Sequence, residues 1–231
     1  MTQTLHETFA RLWTLDRDVV AIAWLSLRVS LTAVGIGLVL GIPLGALVAV
    51  ARFPGRDALV AGLNAFMGLP PVVVGLVLYL LLSRSGPLGP LGLLFTPGAM
   101  VAAQAVLATP LVAALSRQVV ADAEAHLGEQ LRSLRLSAPR RAMVLIYDVR
   151  FSLVTAALAA FGRAISEIGA VLVVGGNIDG HTRTMTTAIS LETQKGDLSL
   201  ALALGLVLMG LVITVNAAAA LLRGHAARAY G

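Results

Sequence analysis

Two places in this sequence gather side chains able to handle an anion. The first is the run from Gly175 to Ile189, which packs Gly175, Gly176, Asn177, Gly180, Thr182, Arg183, Thr184, Thr186 and Thr187 into one short polar stretch. Backbone N–H groups beside glycine, hydroxyl donors and one guanidinium suit a tetrahedral oxyanion. The competing reading is a structured loop whose Thr and Asn side chains satisfy their own backbone. The second place is the pair Arg163 and Glu167, which stand inside an otherwise apolar run. At i and i+4 they share a helix face and can pair. Charges within a membrane face a bundle interior or an aqueous cavity, so the pair either packs the interior or lines a pathway. Other chemistry finds no residues. Cysteine is absent, and His6, His126, His181 and His225 are scattered, so no metal set is expected. No phosphate-binding loop of the Gly-x-x-x-x-Gly-Lys-Ser/Thr form occurs, so the chain is not expected to bind ATP itself. No catalytic set of Ser, His and Asp gathers either, which disfavours an enzyme.

The elements that must hold these residues are membrane spans. Of the 231 residues, 58% are hydrophobic and 13% charged, against roughly 25% charged in soluble domains. Uncharged runs between Arg28 and Arg52, and between Asp57 and Arg84, are long enough for spans of about 20 residues. The expected fold is an all-α membrane bundle of five spans, at about 23–51, 58–82, 98–116, 151–174 and 198–222. The first contains Pro43 and the third Thr109-Pro110. Gly68-Leu69-Pro70-Pro71 breaks the second, and broken helices often border a transport path. Residues 1–22 form an external lead-in with apolar positions Leu5, Phe9, Leu12, Trp13 and Leu15, spaced for a short amphipathic helix at the membrane surface, or else a frayed tail. No cleavable signal peptide is visible. Residues 175–197 form an external loop and 223–231 a short basic tail.

Between the third and fourth spans lies the one long polar segment, 117–150, with Arg117, Arg132, Arg135, Arg140, Arg141 and Arg150 among four acidic residues. It reads as one or two helices outside the bilayer, joined near Ser137-Ala138-Pro139. A basic helical segment of this size is a docking platform for a soluble protein. With five spans, the platform side gathers ten arginines and the other side six basic residues. The positive-inside bias therefore places the platform and the C-terminus in the cytoplasm and the N-terminus outside. The same bias accounts for the net charge of +5 without nucleic acid as a partner. Arg140, Arg141 and Arg150 have a plainer alternative in lipid phosphates.

The run Phe161-Gly162-Arg163-Ala164-Ile165-Ser166-Glu167-Ile168-Gly169-Ala170, then Val174-Gly175-Gly176-Asn177-Ile178 and Thr182-Arg183-Thr184-Met185-Thr186-Thr187-Ala188-Ile189, resembles the permease subunits of tungstate and molybdate ABC importers, most of all the tungstate branch. Gly41-Ile42-Pro43-Leu44-Gly45, Phe53-Pro54-Gly55-Arg56 and Leu69-Pro70-Pro71-Val72-Val73-Val74-Gly75 are similar to the first two core helices of that family. The resemblance implies a type I ABC importer permease in the inner membrane of a bacterium or archaeon. It implies a homodimer of permeases, ABC ATPase subunits that bind the ATP, and an external substrate-binding protein that delivers the oxyanion. Permeases of this kind carry Glu-Ala-Ala, three residues, then Gly in a cytoplasmic coupling segment. Here Glu129-Gln130-Leu131 stands at Glu-Ala-Ala, and Arg135 stands where Gly is expected. The resemblance thus assigns ATPase coupling to Glu129, Gln130, Leu131, Arg132, Leu134, Arg135, Ser137, Arg140 and Arg141. It assigns pathway or gate roles to Arg163, Glu167, Asn177, Arg183, Thr184, Thr186 and Thr187. A molybdate or sulfate permease stays open, as does a membrane enzyme or scaffold that uses the platform for another partner.

Overall fold

The structure, a computed structural model, describes residues 2–14 and 16–230, with side chains described for 4–14 and 16–221. Ten α-helices and no strand occur among the described residues. They are α1 (Thr2–Trp13), α2 (Arg17–Val50), α3 (Arg56–Met67), α4 (Pro71–Leu82), α5 (Pro97–Ser133), α6 (Ala138–Asp148), α7 (Arg150–Ile165), α8 (Gly169–Gly175), α9 (Met185–Lys195) and α10 (Leu198–Tyr230). Three stretches, Arg17–Val50, Pro97–Ser133 and Leu198–Leu221, are long and apolar enough to cross a membrane. Two bent pairs, α3 with α4 at 96° and α6 with α7 at 79°, raise the count to five if each pair is one span. The first bend follows directly from Pro70 and Pro71. Pro70 holds extended backbone (φ −64°, ψ 118°), and Pro71 starts α4, where its missing N–H costs nothing. Arg223 and Arg228, in the tail expected at 223–231, lie outside the described side chains.

The chain folds as two compact units. One gathers Met1–Ala33, Pro70–Gln104 and Gly162–Thr214; the other gathers Val34–Leu69, Ala105–Phe161 and Val215–Gly231. In the first unit, α4 and α8 pack backbone to backbone. A Cβ on Gly75 would meet the Ala170 Cα at 2.8 Å, and one on Gly169 would meet Val72 Cγ2 at 2.6 Å. In the second, Gly37, Gly41 and Gly45 bring α2 against α5 at four-residue spacing, the small-residue pattern by which membrane helices approach. The core of this unit is Ala46, Ala49, Val50, Val120, Leu131, Ala142 and Leu145.

Two elements differ from the expectation. The helix of the third span does not end near Ser116 but runs to Ser133. The residues after Arg117 are mostly Ala, Leu, Glu, Gln and Arg, all good helix formers, and no Pro interrupts them. The stretch 151–174 is not one helix: α7 ends at Ile165 and α8 begins at Gly169. Two carbonyls opened by this break, those of Ala164 and Glu167, are bonded. Gln104 Nε2 and the Glu167 N–H donate to the Ala164 carbonyl (2.9 and 3.2 Å), and the Thr186 hydroxyl donates to the Glu167 carbonyl (2.9 Å). Without such partners an interrupted helix would be unstable in lipid.

Candidate functional site

The platform in the second unit is the α5–α6 connection. Helix α5 ends in a Schellman motif: the Leu136 N–H reaches back to the Leu131 carbonyl (3.4 Å) and the Arg135 N–H to the Arg132 carbonyl (2.8 Å). The residue between, Arg135, has φ +54°, the left-handed conformation that this motif requires and that glycine adopts most readily. Leu131 is buried and Leu136 packs beside it, the apolar contact that accompanies such an ending. The sequence pattern expects Gly at this position for a backbone reason, and Arg135 holds the same turn without the glycine. Arg135→Gly is therefore expected to stabilise the chain by about 1 kcal/mol, since a side chain in this region costs roughly that much. Thermal unfolding of the purified protein checks it; an unchanged or lower midpoint would contradict the assignment.

Behind the turn lies a charge cluster. Glu124 Oε1 accepts from Arg132 Nη1 (3.0 Å) across Gly128, and Arg141 Nε lies 3.8 Å from the same oxygen. A Cβ on Gly128 would meet the Glu124 carboxyl carbon at 2.8 Å, so a larger residue there would make the Glu124 side chain shift. Arg141 Nη2 also donates to the Val50 carbonyl (3.1 Å), and Arg56 donates to the carbonyls of Val48 (2.8 Å) and Ala49 (3.4 Å). Two guanidinium groups thus cap the C-terminal carbonyls of α2, where the helix dipole favours positive charge. With its side chain 14% exposed and so engaged, Arg141 is not available to lipid phosphate. Arg150 stacks over the rings of Tyr147 (4.4 Å) and Phe151 (4.8 Å). The remaining residues assigned to the platform are arranged on its outside. Glu129, Gln130, Ser137 and Arg140 are exposed, and Ser137 precedes α6 in extended backbone.

Leu134, already assigned to the platform, is joined on this surface by two residues that were not singled out in the sequence, Met143 and Tyr147. Leu134, Met143 and Tyr147 are 68%, 73% and 70% exposed. On α6, Ala142 and Leu145 face the core, which leaves Met143 and Tyr147, at i and i+4, on the outer face. The legible signal was apolar residues at the wrong phase for burial in a strongly polar segment. Large exposed apolar side chains rimmed by charge mark a surface that meets a protein partner or the membrane.

The glycine- and threonine-rich run in the first unit forms a turn leading into α9. Asn177 takes φ +51°, and its amide donates to the Thr187 carbonyl (3.4 Å). Thr184 caps α9 in a reciprocal box with Thr187; the Thr184 N–H donates to Thr187 Oγ1 at 3.0 Å. Ser26 on α2 accepts from the Met185 N–H (2.8 Å). Arg183 lies against Asp179 (3.1 Å) and Glu192 (3.6 Å), and Lys195 completes the cluster at 3.0 Å from Glu192. The hydroxyls of Thr184, Thr186 and Thr187 are buried and bonded within the fold, so they shape the turn and are not presented to an anion.

Arg163 and Glu167 do not form the pair expected of them. Glu167 lies in the break after α7, where helical spacing no longer holds, and its Oε1 accepts from the Ala170 N–H (3.3 Å). Arg163 is exposed on the last turn of α7, and no ion pair among the described residues includes it.

Residues 41–227 match the family described as binding-protein-dependent transport system inner membrane component. A "probable anion ABC transporter permease protein" of Haloferax volcanii is 43% identical over 209 residues, covering 88% of this chain and 90% of the relative. The tungstate uptake system permease protein TupB of Peptoclostridium acidaminophilum is 39% identical over 202 residues, covering 87% and 89%. Among solved structures, a chain of the inward-facing MetNI methionine ABC transporter shares the fold with a TM-score of 0.69 at 20% identity, over 93% of this chain and 97% of that one.

Proposed function

This chain belongs to the family of binding-protein-dependent transport system inner membrane components, and from that membership we propose that it conducts tungstate into the cell as the permease of an ABC importer. It is a multi-pass membrane protein and a transport component, not an enzyme. The observation that carries the anion is likeness to a tungstate uptake permease along nearly the whole chain. In this reading the chain pairs with a second copy and works with ATPase subunits and an external binding protein. The ATP sits in the ATPase subunits, and the permease itself needs no cofactor. The α5–α6 connection and the C-terminus are cytoplasmic, and the N-terminus is external, as the arginine distribution favours.

The α5–α6 connection is the ATPase seat. Leu134, Met143 and Tyr147 supply apolar contact, and Glu129, Arg132, Arg135 and Arg140 supply charge around it. Arg141 ties this seat to the end of α2, so displacement of the seat by the ATPase moves the end of that helix with it. The permease then switches between inward- and outward-open arrangements as a rigid-body change. The turn at Asn177–Thr187 holds the break after α7 through the Thr186–Glu167 bond, which gives these residues a gate role and leaves Arg163 as the charge free to face the pathway. Weak affinity in the pathway suits transport, because tight binding would slow release. The test is ATP-dependent tungstate uptake by liposomes that hold the permease and its ATPase, with the binding protein outside. Uptake in the complete system, abolished by Glu129→Arg in a protein that still folds, is the expected result.

A further inference from the structure

We propose that α1 is an in-plane lipid anchor, lying in the headgroup region of the bilayer with Leu5, Phe9 and Trp13 turned into the acyl boundary. These three residues stand at i, i+4 and i+8, on one stripe of the helix, and are 43%, 62% and 91% exposed. The other side of α1 is fastened. Thr8 is fully buried, and its hydroxyl donates to the Thr4 carbonyl (2.8 Å) and reaches the Ser199 carbonyl (3.2 Å). Arg11 lies 3.6 Å from Asp197 and 3.7 Å from Asp16.

These attachments set the depth of the helix. Asp197 and Ser199 flank the start of the Leu198–Leu221 span, and the chain leaves α1 to begin the span of α2 at Arg17. A helix fixed to the starts of two spans sits where water gives way to hydrocarbon. At that level an apolar stripe on a helix with a polar opposite face partitions into the interface. The attachment is durable. Asp197 accepts from the Leu200 N–H (3.1 Å) at the start of α10, and that bond first, then the Ser199 hydroxyl and Arg11, holds its carboxyl below the usual carboxylate range. It therefore stays ionised opposite Arg11 at neutral pH.

A second observation names the occupant as lipid. Beside α1 runs an apolar groove of about 270 Å³, lined by Leu12, Val20, Trp24, Leu27 and Val207 with Arg11 at its border. It continues the apolar surface of the α2 and α10 spans, so what covers those spans, acyl chain, covers the groove. Trp24 is 67% exposed there. Trp13 and Trp24 are the two tryptophans of the chain, and tryptophan concentrates at the membrane–water interface.

That coincidence makes the proposal measurable in the full-length chain in phosphatidylcholine liposomes. Trp24→Phe leaves Trp13 as the single tryptophan. Its emission is expected to be roughly halved by phosphatidylcholine brominated near the carboxyl end of the acyl chains, less affected by bromine near the methyl end, and spared by aqueous iodide. Adding Phe9→Glu is expected to move Trp13 toward iodide. Quenching of Trp13 by iodide alone would overturn the anchor, and so would indifference to both quenchers, which would mean that protein, a second copy or another partner, covers the stripe. Trp13→Phe, with Trp24 remaining, is expected to show lipid quenching from the groove. The proposal requires a membrane-embedded chain but no particular anion, so a failed uptake assay and a failed quenching assay are separate results.

Discussion

Gly45→Ala is expected to unfold or strongly destabilise the permease, whereas Gly35→Ala, two residues before Gly37 on another face of the same helix, is expected to raise its stability. In a helix interior, alanine is favoured over glycine by about 0.5–1 kcal/mol, so both substitutions begin with the same gain. At Gly35 nothing lies within 4 Å of the added Cβ, and the gain remains. At Gly45 the new carbon meets the Ala113 carbonyl oxygen and lies 2.8 Å from the Arg117 nitrogen, both backbone atoms of α5 that no side-chain rotation can move. Gly41 is in the same position, 2.8 Å from the Thr109 carbonyl oxygen. Forcing the helices apart along this line costs about 1–3 kcal/mol for one overpacked group, and lost contacts at Gly41 and Gly37 add to it. The opposite signs are read by thermal unfolding of the two variants in detergent. Equal behaviour would mean that α2 and α5 do not pack through this glycine series.

Arg141→Ala is the second large effect, and it separates stability from coupling. The substitution leaves Glu124, with a side chain 13% exposed, one guanidinium poorer, and it uncaps the Val50 carbonyl. Removing one member of a buried pair costs about 3 kcal/mol or more; with Arg132 still in place, the expected loss here is about 2–3 kcal/mol on that scale. Arg141→Lys keeps the charge but lacks the fork that reaches Glu124 and Val50 together. For the lysine variant, the folded complex is expected to hydrolyse ATP while moving less anion per ATP than the parent. An unchanged ratio of uptake to hydrolysis would remove Arg141 from the route between seat and first span.

The sequence carried the membrane character of the fold in the clearest way, because uncharged runs between arginines are a long-range signal that tertiary contacts do not alter. Gly68-Leu69-Pro70-Pro71 also told its structure, since proline restricts its own backbone and that of its neighbour. The break after Ile165 was hidden. No proline or glycine pair marks Ser166-Glu167-Ile168, and the interruption is sustained by residues far away in sequence, Gln104 and Thr186. Reading Arg163 and Glu167 as a helical pair assumed a periodicity that stops between them. The threonines of the Gly175–Ile189 run were legible as hydrogen-bonding groups but not as donors already used, which depends on the capping box of α9 and on the carbonyl of Glu167. At Arg135 the sequence showed only a departure from the expected glycine; the backbone reason for that glycine, a left-handed φ, came from the fold.

The most direct test of the central assignment is competition in the complete liposome system. ATP-dependent tungstate uptake is measured alone and then with equal molybdate or sulfate outside. Uptake that requires ATP, survives sulfate and falls less with molybdate than with unlabelled tungstate is the expected result. Uptake of sulfate or molybdate in preference to tungstate would contradict the anion assigned here, and no ATP-dependent uptake of any of the three would contradict oxyanion import itself.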